Sequence, residues 1–177
     1  MFLPPILHHL KKLGHVVFTE GEYNLNMIAI RRADRSDDLA VAYKHRGAWR
    51  VEWFSATTEP APKYLENPIN RKGCAILALG QYRSSHAFGL HRGRPAVCQV
   101  APVTVHRDND GDAIPNTKTT PTESGLFGIN IHDDRGGSAG CILTEITTIG
   151  HLRRLLEAQA QSGHGKRVTL TVIQGAR

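Results

Sequence analysis

The feature that most constrains the fold is a rhythm of short apolar runs broken by turn residues at spacings of about ten residues. Val16-Val17-Phe18, Leu25 to Ile30, Leu39 to Tyr43 and Trp49 to Phe54 are too short for helices. They are parted by turn-rich segments such as Thr19-Glu20-Gly21-Glu22 and Lys44-His45-Arg46-Gly47. Runs resume at Ala75 to Leu79, Phe88 to Leu90, Val97 to Val105, Leu126 to Ile131 and Val168 to Ile173. Such spacing predicts a mainly β (α+β) fold on an antiparallel sheet. Two segments carry helical periodicity instead. Pro4-Pro5 with Ile6, Leu7, Leu10 and Leu13 predicts a helix within residues 1–15, ended by Gly14 and packed on a single domain spanning 16–177. Ile142, Ile146, Ile149, Leu152, Leu155 and Leu156 predict a second helix from Ile142 to Gln161. Thr57 to Lys72, with Pro60, Pro62 and Pro68, reads as a long excursion forming a lid or groove wall. Trp49, Trp53 and Phe54 read as core residues of their strand.

A chain of 177 residues suits one core. Its formal charge of +6 comes from scattered pairs, Lys11-Lys12, Arg31-Arg32, Arg71-Lys72, Arg153-Arg154 and Lys166-Arg167, with no long basic run. No nucleic-acid partner is expected from that pattern. The first apolar stretch is short and precedes its basic pair, the reverse of a secretory signal, and no run approaches the roughly 20 apolar residues that span a bilayer. A monomer made in the cytoplasm, without membrane insertion, is the expectation. Cys74, Cys98 and Cys141 are too few and too far apart for a disulfide framework.

A thiol attacks as thiolate and needs a base or a favourable field near neutral pH. Cys141 stands in Ser138-Ala139-Gly140-Cys141, nine residues after His132, which ends the apolar strand Gly128-Ile129-Asn130-Ile131-His132. The loop from Asp133 to Gly137 can fold the imidazole back to the thiol, with Asp133 or Asp134 orienting it. Gly140 permits close approach to a bound carbonyl, and a helix from Ile142 would aim its N-terminal amides at the thiolate and at a developing oxyanion. Other readings are weaker. Asp108-Asn109-Asp110-Gly111-Asp112 is similar to a calcium loop, but glycine stands fourth rather than sixth and Thr119 twelfth, so a turn is expected. His86 and His91 have no third ligand at regular spacing, and neither a metal nor another cofactor is expected. Cys74 and Cys98 read as core thiols.

At these residues the chain resembles the L,D-transpeptidase catalytic domain, the YkuD-like family, whose signature is I-x-I-H-G, a loop, then S/T-H-G-C-I. Ile129-Asn130-Ile131-His132 matches the first half and Ser138-Ala139-Gly140-Cys141-Ile142 the second. The resemblance covers about Leu39 to Thr144 in strand order, and its last fifteen or so residues are the specific part. It implies a β-sandwich or barrel, Cys141 as nucleophile, His132 as base and an oxyanion hole from amides near Gly140 and Cys141. The implied partner is the peptidoglycan stem peptide, met in the periplasm or cell wall after lysis or delivery. The chain departs from the pattern with Ala139 for histidine, Asp133 for glycine, a shorter loop and Leu143 where arginine is common. It therefore looks like a compact, divergent member of the phage-associated or effector-like kind. Arg135, Arg83 or Arg92 would take the substrate carboxylate, with Tyr82, His91 and Asn130 as further substrate contacts. The alternatives are a non-catalytic phage structural or wall-binding module and a cysteine peptidase or amidase on other peptides.

Overall fold

The computed structural model describes residues 2–114, 116–118 and 121–175, so Thr119 lies outside the described residues. Helix α1 (Pro5–Lys12) precedes strands β1 (Asn26–Arg31), β2 (Asp38–His45) and β3 (Ala48–Thr57). A short helix α2 (Pro62–Glu66) leads to β4 (Cys74–Leu77), β5 (Gly80–His91), β6 (Arg94–Gln99), β7 (Val103–Asp108) and β8 (Glu123–Gly125). Then come β9 (Ile131–Asp133), β10 (Ile142–Thr144), α3 (Ile146–Gln161) and β11 (Arg167–Gln174). The molecule is mainly β. Eight strands close a barrel in the order β1, β11, β5, β6, β9, β10, β3, β2, and β4, β7 and β8 form a separate sheet.

Strand alternation sorts the apolar residues into two clusters. Met27 and Ala29 of β1, Val41 of β2 and Leu170 of β11 join Leu152 and Leu156 of α3 and Leu77 and Val105 of the small sheet. The opposite face, with Ile28, Ile30, Ala40, Ala42 and Ile173, packs under Leu7 and Leu10 of α1. Covered on both sides, β1 is buried along its whole length, which is why its sequence is a continuous apolar run rather than an alternation.

Several local expectations are corrected. Val16-Val17-Phe18 forms no strand: the Val16 N–H and C=O bond the Gln81 carboxamide, and those of Phe18 bond Asn26. Side-chain amides there take the place of a ladder. The same holds for Leu126 to Asn130, where Gln99 Oε1 accepts from the amides of Phe127 and Ile129, so the strand begins only at Ile131. Val97 to Val105 divides into β6 and β7, and Phe88 to Leu90 is the end of the much longer β5. The sheet is not wholly antiparallel, since β1 pairs with β11 and β9 with β10 in parallel. Trp53 is 51% exposed, on the outer face of β3, and is not a core residue. Most consequentially, Ile142 starts a strand and not a helix. Ile142 to Thr144 pair with Ile131 to Asp133, and Leu143 faces Thr57, so tertiary pairing overrides the helical spacing until Ile146.

Candidate active site

Strands β9 and β10 are neighbours, so the chain must leave Asp133 and return to the foot of the adjacent strand within residues 134–141. Parallel strands usually need a crossover of a dozen residues or more, and three-residue strands make this short one possible. The loop is pinned by Asp134 N–H to the Thr144 carbonyl and by Ala61 N–H to the Ser138 carbonyl. Gly140 has φ +147°, and a Cβ there would lie 2.0 Å from the Ala75 carbonyl oxygen. Only glycine fits, and its absence of side chain sets Cys141 beside β9.

The Asn130 N–H lies 3.4 Å from Cys141 Sγ, and the thiol lies 3.3 Å from the Gly128 carbonyl, to which it can donate. His132 Nδ1 lies 2.8 Å from the Asp133 carbonyl oxygen, which can only accept. The proton is therefore on Nδ1, and Nε2 is left for the thiol. Burial raises the Cys141 thiol, but hydrogen bonds with His132 and Ser138, the Asn130 amide and the His132 charge outweigh it and leave the thiol below its ordinary value. The His132 imidazole is held above its ordinary value, first by its bond to Cys141, against burial, with the Asp133 carbonyl assisting. Both shifts favour a thiolate–imidazolium pair.

Three expected details differ. The Asp133 carboxylate does not orient His132; it is buried against Arg135 Nε at 2.9 Å, and the backbone carbonyl does the orienting. The amides of Gly140 and Cys141, expected to face an oxyanion, both donate to Ser138 Oγ, at 3.1 and 2.6 Å. The helix expected to start at Ile142 does not aim its dipole at Sγ from the next residue, because β10 stands between Cys141 and α3.

The cleft around the thiol has a volume of about 540 Å³. Its walls bring His132, Ser138, Gly140, Cys141, His91, Arg135 and Asp133 together. The excursion after β3 supplies Lys63, Tyr64 and Ile69, and so serves as a groove wall. Asn130 belongs to the site through its N–H on Sγ and its carboxamide on His91. Tyr82 and Arg83 do not belong to it. Tyr82 is buried, its hydroxyl between the Ala78 and Thr104 carbonyls, and it lines a separate cavity of about 830 Å³ that includes Arg31 and His106. Arg83 is exposed on β5 and does not line the cleft. His86 is likewise absent: it is fully buried, Nε2 donating to the Ile129 carbonyl and Nδ1 bonded to Ser85, and burial pushes it down to about 4.

Reading the sequence missed Arg94, Lys63 and Gln99. Arg94 and Lys63 reach the cleft only through the β5–β6 hairpin and the excursion, which no local pattern reveals. Around Asp108 the carboxylates are used in a turn: Asp108 accepts from the Gly111 and Ala113 amides and Asp112 from Ile114. Asp110 accepts from the Asn116 carboxamide. Comparison with protein-family models, with curated proteins and with solved structures finds no match.

Proposed function

We propose that the protein is a cysteine-dependent enzyme acting on bacterial cell-wall stem peptides, of L,D-transpeptidase, L,D-carboxypeptidase or endopeptidase type. The observation that carries this reading is the pairing of Cys141 with a His132 whose Nδ1–H is anchored on the Asp133 carbonyl, leaving Nε2 to take the thiol proton. The thiolate attacks the acyl carbonyl, and the tetrahedral intermediate expels the leaving amine with the proton held by His132. A thioester on Cys141 results. Water or a second amine, deprotonated by His132, then attacks the thioester and regenerates the thiol.

Charge supports a carboxylate-bearing substrate. Lys63, Arg92, Arg94 and Arg135 line the cleft against the single carboxylate of Asp133, which Arg135 already engages. Arg92 and Arg135 answer the loss of arginine at Leu143, and Arg94 and Lys63 add to them. The Ser138 hydroxyl, which receives the Gly140 and Cys141 amides, also bonds the thiol and stabilises the thiolate before attack. For those amides to meet an oxyanion, the Ser138 side chain must rotate away as the acyl group arrives.

Incubating wild type and Cys141→Ala with tetrapeptide muropeptides and separating the products tests the reading. Loss of the terminal residue indicates hydrolysis and its replacement indicates exchange, with neither in the variant. Turnover that survives in Cys141→Ala would refute it.

A further inference from the structure

We propose that His91 is a positioning residue of the Cys141–His132 pair: a neutral imidazole, locked by Asn130 with its proton on Nε2, that backs the His132 ring. The proposal rests on Cys141 and His132 forming the reactive pair and is indifferent to the acyl donor.

The lock follows from which groups can donate. A backbone N–H can only donate, so the Asn130 carboxamide oxygen, 2.9 Å from the Gln99 amide, is fixed as an acceptor. That turns the Asn130 NH2 toward His91 Nδ1, at 2.9 Å, where it can only donate. Nδ1 must present its lone pair, so the proton sits on Nε2 and the ring is neutral. Gln99 is itself held from four sides. Its Oε1 accepts from Phe127 and Ile129, and its Nε2 donates to the Ala101 and Gly125 carbonyls. The relay from Gln99 through Asn130 to His91 is thus anchored in backbone at its far end.

Neutrality matters because of the neighbouring ring. His91 and His132 stack with centroids 5.0 Å apart and planes 22° from parallel. Two imidazolium ions cannot share that stack without strong repulsion, so the pair holds one charge. His132 keeps it, with the Asp133 carbonyl on Nδ1 and Cys141 alongside. His91 is opposed by the Asn130 donor, by Arg92 next in the turn and by Arg94 opposite it in the hairpin. Lys63, Asp133 and Arg135 are the other charged groups lining the cleft, and Tyr64 lines it too. Burial, then the His132 charge and Arg92, hold His91 below its ordinary value, in the same direction. Asn130 also gives its own N–H to Cys141 Sγ, so one residue holds both the thiol and the ring that stacks on His132.

Two measurements test this. Long-range proton–nitrogen NMR of the 15N-labelled wild-type protein should show His91 neutral at pH 7 with Nε2 protonated. Iodoacetamide labelling of Cys141 across pH, read by peptide mass spectrometry to separate it from Cys74 and Cys98, should be about tenfold slower at pH 7 in His91→Ala, with the profile moved to alkaline pH. His91→Gln, whose carbonyl can still accept from Asn130, should recover to within about threefold. A proton on His91 Nδ1, or a His91→Ala profile that superimposes on wild type, would overturn the role. If the labelling results hold while cell-wall peptides are not turned over, His91 keeps its role and the proposed substrate is wrong.

Discussion

The β1–β11 seam runs parallel for six residue pairs and β1 is buried on both faces, whereas the β9–β10 seam runs for three and opens onto the cleft. Both close the same barrel. In the first, alternate side chains feed two apolar clusters and α1 seals the outside with Leu7 and Leu10. In the second, Ile131 and Ile142 alone hold the inner face, and the polar positions around them carry His132, Asn130 and Cys141. The contrast is that two three-residue strands suffice to bring Cys141 beside Asn130, while the long, doubly covered strands close the rest of the ring. His86 connects the two regions: it faces Val168 of β11 in the ladder and bonds the Ile129 carbonyl just before β9.

The largest effect should come from His132→Gln, which removes the proposed base at a position outside the apolar clusters. Iodoacetamide labelling of Cys141 at pH 7 should fall by at least about a hundredfold with the melting temperature little changed. Wild-type labelling should rise through a midpoint below the ordinary thiol range, because the thiolate is favoured over the thiol in the folded protein. Leu10→Ala strikes the other seam: chemical denaturation should show a loss of about 2–5 kcal/mol, with Cys141 labelling unchanged. Slower labelling in that variant would mean the two seams are not separable.

Third, the buried neutral His86 should make stability depend on acid. Its folded value is pushed down to about 4 from 6.5, so the unfolded chain binds the extra proton first. Stability should therefore fall as pH drops from 6.5 toward 4, by on the order of 3 kcal/mol, and denaturation midpoints across that range measure it. A flat response would contradict the buried, neutral assignment. Ser138→Ala strips the acceptor from two amides, one of them on the buried Gly140, and should cost about 1–3 kcal/mol while moving the Cys141 labelling midpoint upward. The smallest effect belongs to Asp133→Asn. Because the carbonyl and not the carboxylate holds His132, labelling should stay within about twofold of wild type. A large loss there would restore the carboxylate to the orienting role.

Periodicity was enough to read the strands and the first helix where apolar residues repeat without competition, as in β1, β2 and α1. It failed where side-chain amides replace a ladder, since nothing local announces that Gln81, Asn26 and Gln99 will satisfy the backbone at Val16, Phe18 and Ile129. It failed again at Ile142, whose spacing to Ile146 and Ile149 suits a helix until pairing with Ile131 is considered. Within the site, the motif residues could be picked out because the glycine, thiol and histidine sit close in the chain. Arg92, Arg94 and the His91 stack depend on the β5–β6 hairpin pairing with β9, and Lys63 on the excursion after β3, both long-range events. Tyr82 lies apart from the cleft for a similar reason: β5 is long enough that its first half lines a different cavity from its tip, and Arg83 lines neither.

Whether Cys141 forms the proposed acyl-enzyme is read out by intact-protein mass spectrometry after incubation with a carbapenem. A covalent adduct mapping to Cys141 is expected in the wild type and none in Cys141→Ala. An unmodified wild-type protein, or an adduct that persists in Cys141→Ala, would contradict it.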